Sequence, residues 1–155
     1  RRVVSNEYKN LILAVSECYV EIAASSPIAR LGHADVSQLK DMSCILVASP
    51  DQQENEQNYY QTIIGIQGDF LFAETLDEAR MLAAGGKGYL PMEASQNMSP
   101  PGPVLHRIPL LRREQPVHRI YGAFWKADNS GYYIEDFASI LKSKFPGGAA
   151  EPHIL

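Results

Sequence analysis

The chain reads as an α/β protein, a three-layer lobe in which helices cover both faces of a sheet with a parallel centre. Two stretches predict this. Cys44-Ile-Leu-Val-Ala48 is apolar throughout, as a strand buried on both faces must be. Phe70 to Pro91, FLFAETLDEARMLAAGGKGYLP, reads as strand, helix, glycine turn and strand, a βαβ unit of minimum length.

The elements follow in order. Leu11 to Val15 and Cys18 to Ala23 are extended segments whose alternation suits strands entering a sheet. Pro27 and Gly32 break that run, and a short helix near Ser37 to Lys40 leads through Asp41 to Ser43 into the strand at Cys44. Ser49-Pro50 predicts the next helix start, with serine as N-cap, proline at the first helical position and Gln52 three residues on. This helix is expected to reach about Ile64 and stop at Gly65; Gln52 to Asn58 is polar, while Tyr59, Tyr60, Ile63 and Ile64 lie toward one side.

Asp69 to Ala73 should form a strand parallel to Cys44 to Ala48. Thr75-Leu-Asp-Glu78 has the Ser/Thr-x-x-Glu pattern of a capping box, so a helix starts just after Thr75. Gly85, Gly86 and Gly88 close it, and Gly88-Tyr-Leu-Pro91 resumes an apolar run as a third parallel strand. Met92 to Gly102, with Pro100-Pro101-Gly-Pro103 at its end, is too rich in breakers for regular structure. Val104 to Leu111 and His118 to Lys126 are strand candidates separated by a turn at Arg112 to Pro116. Asn129-Ser-Gly-Tyr-Tyr predicts the start of a last helix, with Ile134, Phe137, Ala138, Leu141 and Phe145 at helical spacing, ending at Pro146-Gly147. Residues 1–146 are expected to form one partial domain and 147–155 a flexible tail.

Composition narrows the function classes. At 155 residues, 45% hydrophobic and 21% charged, the chain has enough apolar material for a core. Its net charge of −4 and scattered basic residues, apart from Arg112-Arg113 and Arg107 near His106, argue against holding DNA unaided. Apolar runs such as Leu11 to Val15 fall far below the roughly 20 residues needed to cross a bilayer, and Arg1-Arg2 is not followed by a signal sequence. Cys18 and Cys44 lack Cys-x-x-Cys spacing and are read as buried reduced thiols, with a disulfide as the other reading.

Catalytic patterns are weak. His33, His106, His118 and His153 form no His-x-x-x-His pair, and there is no Gly-x-Ser-x-Gly elbow, so neither a catalytic site, a metal site nor a cofactor is expected. Asp77 and Glu78 occupy the first turn of a helix, where carboxylates stabilise its dipole. Gly85-Gly-Lys87-Gly88 follows a helix and precedes a strand, the reverse of a phosphate loop. Open α/β sheets bind ligands beyond the carboxyl ends of their strands, which here are Ser49 to Asp51, Glu74-Thr75, and Leu90-Pro91 continuing to Glu93.

The segment Phe70 to Pro91 resembles the effector-binding domain of LysR-type transcriptional regulators, with its strand, acidic-capped helix, small-residue glycine turn and short strand ending in proline. Ser25-Ser-Pro-Ile-Ala29 resembles that family's "HPLA" segment, and Val36-Ser-Gln-Leu-Lys40 with Cys44 to Ala48 resembles its following helix and strand. The likeness spans roughly Asn10 to Phe145. It implies a type II periplasmic-binding-protein fold, mostly the second lobe, with Leu11 to Val15 and Val104 to Leu110 near the crossover between lobes. It further implies a cytoplasmic regulator that senses a small molecule in an interlobe cleft, for which an anion is expected from the helix N-termini. Operator DNA would be reached only through a helix-turn-helix domain outside this chain. The candidate effector contacts are Ser49, Asp51, Glu74, Thr75, Leu90 and Pro91. Such regulators assemble as homodimers or tetramers, and Tyr59 and Tyr60 are the candidate interface. The same fold also serves solute-binding proteins in transport, the alternative reading.

Overall fold

The computed structural model describes residues 8–94, 101–126 and 132–136. Its contacts divide the chain into two compact units, one of residues 1–16 with 118–155 and one of residues 17–117. The first strand, β1 (Tyr8–Ala23), runs without interruption from one unit into the other, so the two extended segments expected at Leu11 to Val15 and Cys18 to Ala23 are a single strand.

In the unit of residues 17–117, the short β2 (Ala34–Asp35) precedes a 3-10 turn at Val36–Leu39, which Asp35 caps by accepting the Ser37 N–H while Gln38 accepts the Asp35 N–H. Next come β3 (Cys44–Val47), α1 (Gln53–Tyr59), β4 (Phe70–Ala73), α2 (Leu76–Ala84), β5 (Leu90–Glu93), β6 (Leu105–Arg112) and β7 (Gln115–Pro116). Strands β3 and β4 pair in parallel, Cys44 to Phe70 through Val47 to Ala73. A parallel bridge from Cys44 to Tyr89 adds the third strand on the other edge of β3. All three parallel neighbours were expected. Beyond them β5 pairs antiparallel with β1, and β1 pairs antiparallel with β6, which also holds β2 in parallel.

The two faces of this sheet carry different helices because side chains alternate along each strand. One face, with Val20, Ile22, Cys44, Leu46, Tyr89, Ile108 and Leu110, is covered by Tyr59, Tyr60, Ile64 and Ile66. The other, with Ile45, Ala73, Leu90 and Leu105, receives Ala79 and Ala83 of α2, whose small side chains one turn apart let helix and sheet approach closely. The helix before Gly65 departs from the expected single α-helix: α1 passes into a π-helical turn at Tyr60–Ile64 before Gly65, at φ +93°, terminates it.

Gly88 is required by close approach: a β-carbon there would strike the Ser43 carbonyl oxygen, because β3 and the chain entering β5 exchange the bonds Tyr89 N–H to Ser43 O and Ile45 N–H to Tyr89 O. In the other unit β8 (His118–Lys126) lies between β1 and β9 (Tyr132–Asp136). β9 corrects the expected helix start: Tyr132, Tyr133 and Ile134 are in a strand antiparallel to β8, Trp125 opposite Tyr132 and Tyr121 opposite Asp136. Aromatic and β-branched residues suit a pleated surface, and that pairing overrides the helical spacing of Ile134 with the residues after it. The rest of that helix and the tail fall outside the described residues. The chain passes between units at Ser16–Glu17, just after Leu11 to Val15, and again at Val117–His118, one short hairpin beyond β6.

Candidate functional site

The carboxyl ends of β3, β4 and β5 meet at one end of the sheet. The Ala48 N–H donates to the Ala73 O at 3.1 Å, which sets Ser49 beside Glu74, and the parallel bridge at Cys44 to Tyr89 carries Leu90 and Pro91 along the other side of β3. The structure thus brings Ser49, Asp51, Glu74 and Thr75 to one edge, whereas Leu90 and Pro91 open β5 beside Ile45 and Leu46 and do not reach it; the carboxyl end of β5 is Glu93. Ser49, Asp51, Glu74 and Thr75 are exposed, Pro91 is half-buried, and Leu90 is a core residue packed with Ile45 and Ala79.

Their polar groups are largely committed. Thr75 Oγ1 accepts the Glu78 N–H at 3.1 Å, as the capping pattern predicts, and Glu78 Oε1 accepts the Glu74 N–H at 2.9 Å, one residue earlier than a standard box. Ser49 does not cap: its hydroxyl donates to Asp51 Oδ1 at 2.7 Å, and the helix begins later, with Gln52 at its N-cap position and no side-chain cap. The helix starts only at Gln53, so the first-turn N–H groups that a cap would accept lie beyond a serine at position 49.

Tyr59 and Tyr60, expected at an interface, are only 8% and 6% exposed and pack edge to face at 5.3 Å between centroids. These rings belong to the core, because the apolar side of this segment turns onto the sheet. The outward residues near them are polar, among them Glu54, Asn55 and Asn58.

One ionic cluster escaped the sequence reading. Glu21 is fully buried, yet its carboxylate accepts from Arg80 Nε at 2.8 Å and Arg80 Nη2 at 2.9 Å, and from Arg107 Nε at 3.1 Å and Arg107 Nη2 at 2.8 Å. Burial pushes this carboxyl up, but the hydrogen bonds from Arg80 and then Arg107, with their charges, prevail and hold it below its ordinary value. The available signal was a lone carboxylate inside the apolar run Cys-Tyr-Val-Glu-Ile-Ala, but its partners lie 59 and 86 residues away.

Both cysteines are free and buried, and burial pushes the Cys44 thiol up to about 12, which keeps it protonated and unreactive. Among the described residues no group of three or more His, Cys, Asp or Glu could hold a metal, and no helix is long and apolar enough to cross a membrane.

Comparison of the structure with solved ones decides the fold. The regulatory domain of MetR from N. meningitidis, a LysR family regulator, matches with a TM-score of 0.60 at 12% identity, over 82% of this chain and 58% of that one. Full-length BenM matches at 0.57 and 19% identity, over 84% and 44%, and the C-terminal domain of a probable LysR family regulator from Rhodococcus sp. RHA1 at 0.56 and 16%, over 82% and 63%. The fold is that of LysR regulatory domains. No family model and no curated protein matches the sequence itself. The chain spans 44% to 63% of the length of these three solved chains, so it carries part of a LysR regulatory-domain fold, of the type II periplasmic-binding-protein kind. Within that fold, β3, β4 and β5 supply the strand ends described above.

Proposed function

We propose that the chain is the greater part of an effector-sensing domain of a LysR-type transcriptional regulator. The observation that carries this reading is the recurrent structural likeness to regulatory domains of that family, across more than four-fifths of the chain. In the proposal a small molecule binds where the loops after β3, β4 and β5 converge, and its unequal affinity for two arrangements of the whole regulator shifts their populations. Operator DNA is contacted through a separate helix-turn-helix domain. The whole regulator works in the cytoplasm as a homodimer or tetramer.

The character of the effector follows from the groups available. The N–H groups of Glu74 and Glu78 are already accepted within the cap, and the exposed side chains at these strand ends include the carboxylates Asp51 and Glu74 with no cation among the six residues. This favours a polar effector that is neutral or carries donor groups over the expected anion.

The test is a metabolite panel titrated into the full-length regulator and into its Asp51→Ala and Glu74→Ala variants, read by thermal shift. A ligand that raises the midpoint of the parent should lose most of that shift in at least one variant. Full-sized shifts in both would remove the strand ends as the site.

A further inference from the structure

A second concavity is lined by the segments that follow β2 and β6, among them Ser37, Arg113 and Glu114. Lys40 and Gln67, from the segments that precede β3 and β4, complete the lining, and none of the six strand-end candidates belongs to it. The open pocket has a volume of about 1040 Å³, enough for a metabolite-sized ligand. It falls wholly within residues 17–117.

Its polar groups are unequally spent. Asp35 uses one carboxylate oxygen on the Ser37 N–H and hydroxyl and the other on the Glu114 N–H at 2.9 Å. Gln38 Oε1 accepts the Asp35 N–H, leaving its amide N–H₂ as donor. Arg112 donates one nitrogen to the Ile63 carbonyl at 2.7 Å, with its guanidinium lying over Gly65, where a β-carbon would stand 3.5 Å away. The Lys40 ammonium and Arg113 guanidinium have no hydrogen-bonding or ionic partner among the described residues. The Glu114 carboxylate, exposed at the turn, is the one free anionic acceptor among the described lining residues. Three cationic side chains and two amide side chains therefore line a space with two carboxylates, of which Asp35 is already engaged by backbone and side-chain donors and Glu114 is free.

We infer that this pocket binds a small organic anion bearing carboxylate or phosphate groups, held chiefly by Lys40 and Arg113 with Arg112 and the Gln38 and Gln67 amides as further donors. Anions satisfy donors that would otherwise face only water, and cationic donors give a charged acceptor its strongest contacts. The site is separate from the strand-end surface and does not depend on the regulatory reading.

The experiment titrates the 155-residue chain with citrate, with inorganic phosphate and with neutral glucose at constant ionic strength, following backbone amide resonances. Saturable shifts at Lys40, Gln67 and Glu114 with at least one anion, and none with glucose, are expected; the anion that binds tighter tells carboxylate from phosphate. The Lys40→Ala/Arg113→Ala double variant should raise the dissociation constant at least tenfold, and Lys40→Gln alone a few-fold, while Arg30→Ala, an exposed cation outside the pocket, leaves it unchanged. Absence of saturable shifts, an equal loss in Arg30→Ala, or shifts confined to Ser49 and Thr75 would overturn the assignment.

Discussion

At the scale of single residues, Glu21 concentrates the most electrostatic free energy. Its carboxylate is fully buried while the two arginines that hold it are each 17% exposed, so the anion depends on them more than they depend on it. Glu21→Gln keeps the shape and removes the charge, and should cost roughly 2–4 kcal/mol at neutral pH, the lower side of the range for breaking a buried pair because both cations reach water. Folding holds the carboxyl below the ordinary 4.5, so its contribution is present in full above that value and is lost as pH falls through the lower folded value. Thermal midpoints of parent and variant should therefore converge as pH drops from about 6 toward 3. A constant gap over that range would show that the charge contributes nothing. Gly88→Val makes a steric counterpart: its side chain would meet the Ser43 carbonyl, and a loss of roughly 2–4 kcal/mol in denaturant unfolding is expected at any pH. An unchanged midpoint would mean that β3 and β5 can separate without cost.

Between elements, the two serine/threonine positions that open helices in the sequence part company. Thr75 is extended, at φ −134° and ψ 158°, and accepts a backbone N–H, so Thr75→Ala should cost about 1 kcal/mol. Ser49 gives its proton to Asp51 in an exposed loop, and Ser49→Ala should stay within about 0.5 kcal/mol of the parent. Equal losses in chemical denaturation would contradict this assignment of caps. The contrast marks what the sequence could disclose. Parallel pairing of β3 and β4, the cap at Thr75 and the stops at Gly65 and Gly85 rest on local apolar runs and on glycine, and were legible. The Ser49–Asp51 bond is local and was overlooked, whereas the strand at Tyr132–Asp136 and the inward turn of Tyr59 and Tyr60 depend on neighbours supplied by tertiary structure. So does the Glu21 cluster, assembled from three separate elements.

For the molecule as a whole, the carboxyl ends of β3 and β4 lie side by side because parallel strands present them together, but Leu90 and Pro91 open β5 and sit beside the middle of β3. The open pocket beside the hairpin was not foreseen. It is built by Lys40, Gln67 and the hairpin between β6 and β7, whose central residues Arg113 and Glu114 sit at φ 52° and 66°. Two-residue hairpins favour this left-handed geometry, yet the sequence places there neither glycine nor asparagine, the usual markers of such a turn. The pattern Arg-Arg-Glu-Gln therefore hid the hairpin's shape while leaving its turn visible.

The hydrogen bond from the Cys18 N–H to the Val117 carbonyl, 2.9 Å long, joins the beginning of the unit of residues 17–117 to its end. A stretch whose two ends meet is a portable cassette: it can be lifted from its host, or reopened elsewhere, without dragging its interior along. Residues 17–117 expressed alone should unfold in one cooperative step and keep the exchange protection of the Ile45 and Tyr89 amides, which bond within the cassette. Loss of that protection would show that the cassette needs its host to hold shape. If it persists, the same two ends can be closed by a short peptide and the chain reopened between β5 and β6, giving a permuted ring in which evolution's choice of start and finish no longer matters.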